Sequence, residues 1–342
     1  ERIQINRVPM SDEELARGVA ELRVLAGTLP GVEPTFFEFT TVMALRRFAE
    51  AGVDLVVWET GLGGRLDATN IVTPLASVVT RIGLDHQAVL GPTVARIAAE
   101  KAGIIKPGVP VVTAAGDPDT LAILEFKARE LDAPFLAIGE PEAATLPGPV
   151  GLAGAHQRVN AALAAATVRL LRAFLPVSDD ALKTGLARAE WPGRLQVLRR
   201  GSQTLLLDGA HNPQGIGALA TALPDLLPGV RPTLIVGLLA DKDWREMARL
   251  LAPLAGRILT VPVTSGRTVS AADLKAAFVA SGLGRPVKAM DSLAEALRST
   301  SGDPAVLITG SLYLVGEALG LLDPAAAPDL GERALNDWKT PS

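Results

Sequence analysis

Short apolar runs alternate with segments of helical periodicity along most of the chain. Strands are predicted at 53–59, 76–82, 109–114 and 134–138, then at 204–208, 233–236, 257–261 and 305–309. Several are unbroken apolar runs, the pattern of parallel strands covered on both faces. Helical patterning fills 93–102, 118–131, 157–174, 213–227 and 270–281. This alternation predicts an α/β fold.

Local punctuation refines the picture. Ser11 with Glu14, and Thr35 with Glu38, have the spacing of capping boxes that open helices. Glu190-Trp191-Pro192-Gly193-Arg194 follows a helical stretch and precedes a fresh strand–helix series, so Pro-Gly there predicts a domain joint. From Pro324 the chain is Ala/Pro-rich and then polar, the composition of a weakly packed tail. The expected division is 1–192, 193–325 and a tail over 326–342.

Length and composition agree with two soluble domains: 342 residues, 48% hydrophobic, 20% charged and only 4% aromatic. The absence of cysteine excludes disulfides and thiolate metal sites, so any metal is held by oxygen or imidazole donors, as Mg²⁺ or Mn²⁺ would be. A net charge of −4 argues against general nucleic-acid binding. No apolar run has membrane-spanning length and no signal peptide opens the sequence, so a cytoplasmic location is expected.

The densest chemistry is Glu59-Thr60-Gly61-Leu62-Gly63-Gly64-Arg65-Leu66-Asp67-Ala68-Thr69-Asn70, a predicted strand end running into a glycine-rich loop. Ligands of open α/β sheets sit at such carboxyl ends. A dinucleotide fingerprint fits poorly, because Leu66 stands where the third glycine belongs. A plain turn is the bland alternative. His86, in Gly83-Leu84-Asp85-His86, ends the next strand, so Glu59 and His86 are candidates to face one ion. Lys101 reads either as a functional amine or as a cation at a helix C-terminus, and Lys106 as a solvated charge. In the second half, Asp208-Gly209-Ala210-His211-Asn212-Pro213 places a carboxylate, an imidazole and an amide at one strand end. Asn212 also suits a helix N-cap, and Pro213 a first helical turn. No G-x-S-x-G nucleophile elbow occurs.

Taken in order, 59–70, 82–86, 100–106, 191–194, 208–213 and 310–313 resemble the folylpolyglutamate synthase/dihydrofolate synthase family, a branch of the Mur-ligase-like amide ligases. The resemblance implies a doubly wound, mostly parallel ATPase domain and a smaller C-terminal α/β glutamate-ligase domain with the active site between them. It implies ATP-dependent joining of L-glutamate to folates by a monomer; many bacterial members of the family also use dihydropteroate, and the sequence leaves open which acceptors this chain takes. By matching position, Glu59, His86 and Lys101 are implied in Mg²⁺ binding, Lys101 as a carbamate. Thr35, Phe36, Phe37 and Glu38, with Leu66, Asp67 and Ala68, are implied in lining the pterin pocket. Asn160, Arg194 and Asp208 are implied in contacting ATP. His211 and Ser311 are implied in handling the incoming glutamate.

One family element is missing. The sequence contains no Gly-Lys dipeptide, hence no phosphate-cradling loop ending in Gly-Lys-Ser. Truncation ahead of Glu1 is the expectation, and the 342-residue chain is expected to lack ATPase activity. Two other readings stay open: a Mur-like ligase acting on UDP-linked cell-wall precursors, and a non-catalytic folate- or nucleotide-binding remnant.

Overall fold

A computed structural model of the chain describes residues 2–31 and 33–322, so the tail expected at 326–342 lies outside the described residues. The fold forms two compact units, one over 1–138 and one beginning at Gly139.

The first unit opens with a hairpin of β1 (Gln4–Ile5) and β2 (Val8–Pro9), followed by α1 (Asp12–Gly27) and α2 (Phe36–Ala51). Both capping boxes form. The Glu14 N–H donates to Ser11 Oγ at 3.2 Å, and the Ser11 N–H donates to the Glu14 carboxylate at 3.0 Å. The same reciprocal pair joins Thr35 and Glu38, at 3.2 and 2.8 Å. Then come β3 (Ser77–Val79), α3 (Gln87–Leu90), α4 (Val94–Ala102), β4 (Val111–Thr113), α5 (Pro118–Glu130) and β5 (Phe135–Ala137). The three strands form a parallel sheet in the order β3-β4-β5. Val79 and Val111 pack against Ile97 and Ala98 of α4 and Leu124 and Ala128 of α5.

The strand predicted at 53–59 does not form. Leu55 and Val56 are exposed, and Val57 is 90% exposed. An apolar run becomes a strand only where a neighbour pairs with its N–H and C=O groups, and no described strand does so here.

The second unit contains α6 (Glu140–Ala144), α7 (Ala155–Leu170), α8 (Asp179–Ala187), β6 (Gln196–Arg200), β7 (Gln203–Asp208) and α9 (Pro213–Leu226). It continues through β8 (Thr233–Val236), α10 (Trp244–Leu251), β9 (Arg257–Thr260), α11 (Ala271–Ala280), β10 (Val287–Ala289), α12 (Leu293–Ser299), β11 (Ala305–Thr309) and α13 (Leu312–Leu322). The six-stranded sheet runs β10-β9-β8-β11-β7-β6 and is parallel except for β6. Side-chain alternation divides the core between two faces. Leu206, Leu234, Val236 and Leu307 meet α9, α10 and α11. Leu205, Leu207, Ile235 and Ile308 meet α12 and α13. This sheet is covered by helices on both faces, although the doubly wound sheet was expected of the N-terminal domain, and β11 enters between β7 and β8. The carboxyl ends of β7 and β11 therefore lie side by side, with Asp208 in register with Thr309.

Candidate active site

In the first unit the glycine-rich loop is held by close packing against its neighbours. A Cβ on Gly61 would lie 2.4 Å from the Phe37 ring, so the loop touches the start of α2. A Cβ on Gly64 would lie 2.7 Å from the Glu100 carbonyl oxygen. That closeness lets the Arg65 N–H donate to the same carbonyl at 2.8 Å, while the Arg65 guanidinium pairs with the Glu100 carboxylate at 2.9 Å. Gly103 lies equally tight against Arg65.

Asp67 organises the loop from inside. Its carboxylate accepts the Leu62 N–H at 2.7 Å, the Thr69 N–H at 3.0 Å and the Thr69 hydroxyl at 2.5 Å. Burial is the strongest influence and pushes its pKa up, but the Thr69 hydroxyl and the Leu62, Thr69 and Gly61 N–H groups together hold it below the ordinary value. Leu66 and Glu59 are exposed, and Ala68 is half-buried. Asn70 donates to the carbonyls of Arg65 and Gly103 at 3.0 Å each. Lys106, read from sequence as a solvated charge, instead donates to the Asn70 carbonyl at 2.8 Å. At the start of α2, Phe36 is exposed beneath the Arg2 guanidinium, and the Glu38 carboxylate is occupied by the Thr35 N–H and hydroxyl.

Lys101, in the last turn of α4, is half-buried. Burial pulls its ammonium below the ordinary lysine pKa, and the Asp85 carboxylate facing it opposes that shift. Beside Asp85, His86 adopts a left-handed backbone (φ 50°) and its Nε2 stands 3.9 Å from Asp85 Oδ1. Asp85 was passed over in the sequence although it stands inside Gly-Leu-Asp-His; only proximity to Lys101 reveals its charge as relevant. Among the described residues no three acidic or histidine side chains converge as a complete metal cage. Glu59 and His86 offer oxygen and imidazole donors of kinds that Mg²⁺ can take beside its retained waters.

In the second unit, the end of β7 gathers its candidates closely. Asp208 accepts the Leu195 N–H and the Ala210 N–H at 3.0 Å each. Burial raises its pKa, against the pull of those N–H groups and of the Arg194 and His211 charges. His211 Nδ1 lies 2.8 Å from the Gly209 carbonyl, which orients the ring. Asn212 caps α9 by accepting the Gly215 N–H at 2.7 Å, as its position predicted. Arg194 sits over the Trp191 ring at 5.7 Å. Gly193, at φ 71°, occupies a place where a Cβ would lie 2.5 Å from Val315.

Ser311 follows Gly310 just beyond the carboxyl end of β11. It is fully buried, and its hydroxyl accepts the Tyr313 N–H at 3.1 Å. Asn160 donates to Gln157 at 3.1 Å. The start of α7 reaches this region too, because a Cβ on Gly154 would contact both His156 and Leu195. His156 and Gln157 were not singled out from sequence; the glycine–histidine helix start was the available signal.

Residues 193–312 match the family model described as the Mur ligase, glutamate ligase domain. The chain is 36% identical over 344 residues to the Bacillus subtilis dihydrofolate synthase/folylpolyglutamate synthase, covering 93% of this chain and 80% of that protein. The chain belongs to the folylpolyglutamate synthase/dihydrofolate synthase family. Its fold matches the Mycobacterium tuberculosis folylpolyglutamate synthase, solved with ADP and AMPPCP, at a TM-score of 0.81, with 27% identity over 92% of this chain and 80% of that one. It matches E. coli FolC, solved with DHPP and ADP, at a TM-score of 0.79, with 29% identity over 93% of this chain and 77% of that one. The family fold is thus common to both units. No described helix is long and apolar enough to cross a membrane.

Proposed function

We propose that this chain carries the ATP-dependent ligation of L-glutamate to folates, and to dihydropteroate, through an acyl phosphate. The observation that carries the reading is the half-buried Lys101 beside the Asp85 carboxylate, within a chain of this family. An amine must be neutral to take up CO₂ as a carbamate, and burial favours the neutral form. ADP in the complexes of two relatives supports nucleotide binding.

A carboxylate is a poor acyl donor. Its oxygen accepts the γ-phosphoryl group of ATP, giving an acyl phosphate and ADP. The glutamate amine then attacks the acyl carbon, loses a proton, and the C–O bond to phosphate breaks. Arg194 offers a fixed positive charge to the nucleotide, and Asp208 and Asn160 supply polar contacts to it. His211 and Ser311 orient the incoming amino acid. The loop around Asp67, together with Thr35, Phe36, Phe37 and Glu38, borders the pterin ring, with Leu66 and Ala68 as apolar contacts. Glu59, His86 and the Lys101 carbamate would hold Mg²⁺, which neutralises phosphoryl charge. The chain's own residues mainly position reactants and stabilise charge. On this reading the ligase domain spans 193–325.

The test follows labelled L-glutamate into tetrahydrofolate and dihydropteroate with the full product of the gene, beside the 342-residue chain and a UDP-muramoyl-peptide control. Incorporation into the folates is expected from the full product, with no ATP turnover by the 342-residue chain. Incorporation only into the muramoyl peptide, or none into any acceptor, overturns the reading.

A further inference from the structure

Several buried hydroxyls among the described residues have partners. Thr113 donates to the Val79 carbonyl at 2.9 Å, Thr260 to the Ala271 carbonyl at 2.7 Å and Thr300 to the Leu297 carbonyl at 2.8 Å. Thr309 is different. It is 0% exposed, and among the described residues its Oγ1 has no hydrogen-bond partner. A buried hydroxyl left unpaired is costly, so its place in the fold calls for an explanation.

Thr309 is the last residue of β11, in register with Asp208 on one side and Val236 on the other. By strand alternation it shares the face of Leu307, and Asp208 shares the face of Leu206, which is the same face of the sheet. The two side chains are therefore nearest neighbours across adjacent parallel strands. Each Asp208 oxygen accepts one N–H, and a carboxylate has about four lone-pair sites, so acceptor capacity remains. A single χ1 step exchanges the threonine methyl and hydroxyl.

The first unit contains the completed version of this pair, where the Thr69 hydroxyl donates to Asp67 at 2.5 Å. We propose that Thr309 is a positioning residue for Asp208: its hydroxyl donates to the carboxylate, directly or through one buried water, and holds it ionised in one orientation. The charged groups facing Asp208 are Arg194, from the turn before β6, and His211, from the turn after β7. Of the strands flanking β7, β11 brings the uncharged Thr309 and β6 begins at the uncharged Gln196, with Val236 of β8 beyond Thr309. Loss of the Thr309 donor is thus felt as a change in the proton affinity of Asp208. The inference rests on the proposed ligase reading only for what Asp208 then contacts.

The test is a carboxyl-¹³C NMR titration of aspartate-labelled protein, with the Asp208 signal assigned by D208N. T309V keeps shape and removes the hydroxyl; T309S keeps the hydroxyl. Asp208 is expected to titrate about one pH unit higher in T309V and near the wild-type position in T309S. An unchanged titration in T309V, or equal shifts in both variants accompanied by equal losses in Tm, overturns the proposal. Glutamate incorporation is read in parallel. If the wild-type gene product incorporates none while the T309V shift is present, the ligase reading falls and the Thr309–Asp208 pairing stands.

Discussion

Asp67 and Asp208 are two carboxylates in glycine-flanked loops, and the structure treats them oppositely. Each accepts backbone N–H groups on both oxygens, and burial is the strongest influence on each. Asp67 adds a hydroxyl donor and the more watery setting, and its pKa falls. Asp208 is more deeply withdrawn, and burial raises its pKa against the pull of two N–H groups, Arg194 and His211, the setting in which a donor from Thr309 would matter. The first carboxylate is a fastener for its loop. The second is held in a strained electrostatic state, which marks functional groups more often than structural ones.

The comparison breaks most severely through the glycines. G64V forces side-chain atoms onto the Glu100 carbonyl and should destabilise the first unit by about 3 kcal/mol in urea melts. Activity should discriminate next. D208A is expected to lower kcat/KM for glutamate ligation about 100-fold at neutral pH, a loss comparable with removing one fixed electrostatic group from a preorganised site. T69V removes the hydroxyl from Asp67 and should cost about 1 kcal/mol, read as a lower denaturation midpoint.

The pH dependence sharpens the contrast by sign. Asp208, with its folded pKa raised, contributes stability that is complete below the unfolded aspartate value and lost as pH rises through the folded one. Asp67, with its pKa lowered, contributes stability present above the unfolded value and lost as pH falls through the folded one. Comparing wild type, T69V and D208A in melts across the acidic range should show the two slopes with opposite signs. Smallest are the paired caps. T93A at the start of α4 and N212A at the start of α9 should each cost about 1 kcal/mol in the same melts.

Much of this was legible in the chain because local rules agree with the fold. Ser11, Thr35 and Asn212 announce their helices through side-chain spacing, and each does cap as expected. The buried parallel strands stand out as apolar runs. β6 escaped because Gln196–Arg200 is an edge strand with half its surface in water, and its arginines mask the pattern. The run at 53–59 misled because apolar sequence reports burial potential and not the presence of a pairing neighbour. At the site, Asp208, His211 and Asn212 were readable as a spaced cluster, and Arg194 was implied only by the family resemblance. Asp85 and Thr309 were not, since one matters through its approach to Lys101 and the other through a hydroxyl whose isolation exists only in three dimensions.

The insertion of β11 between β7 and β8 has a consequence for biosynthesis. A ribosome making this polypeptide releases β7, with its hairpin partner β6, roughly a hundred residues before its parallel neighbour β11. Until residues 305–309 emerge, the middle of the sheet is a gap bounded by two bare, strongly apolar edges. Such non-local pairing makes for slow folding, so the second unit depends on protection during translation in proportion to how late its central strand arrives.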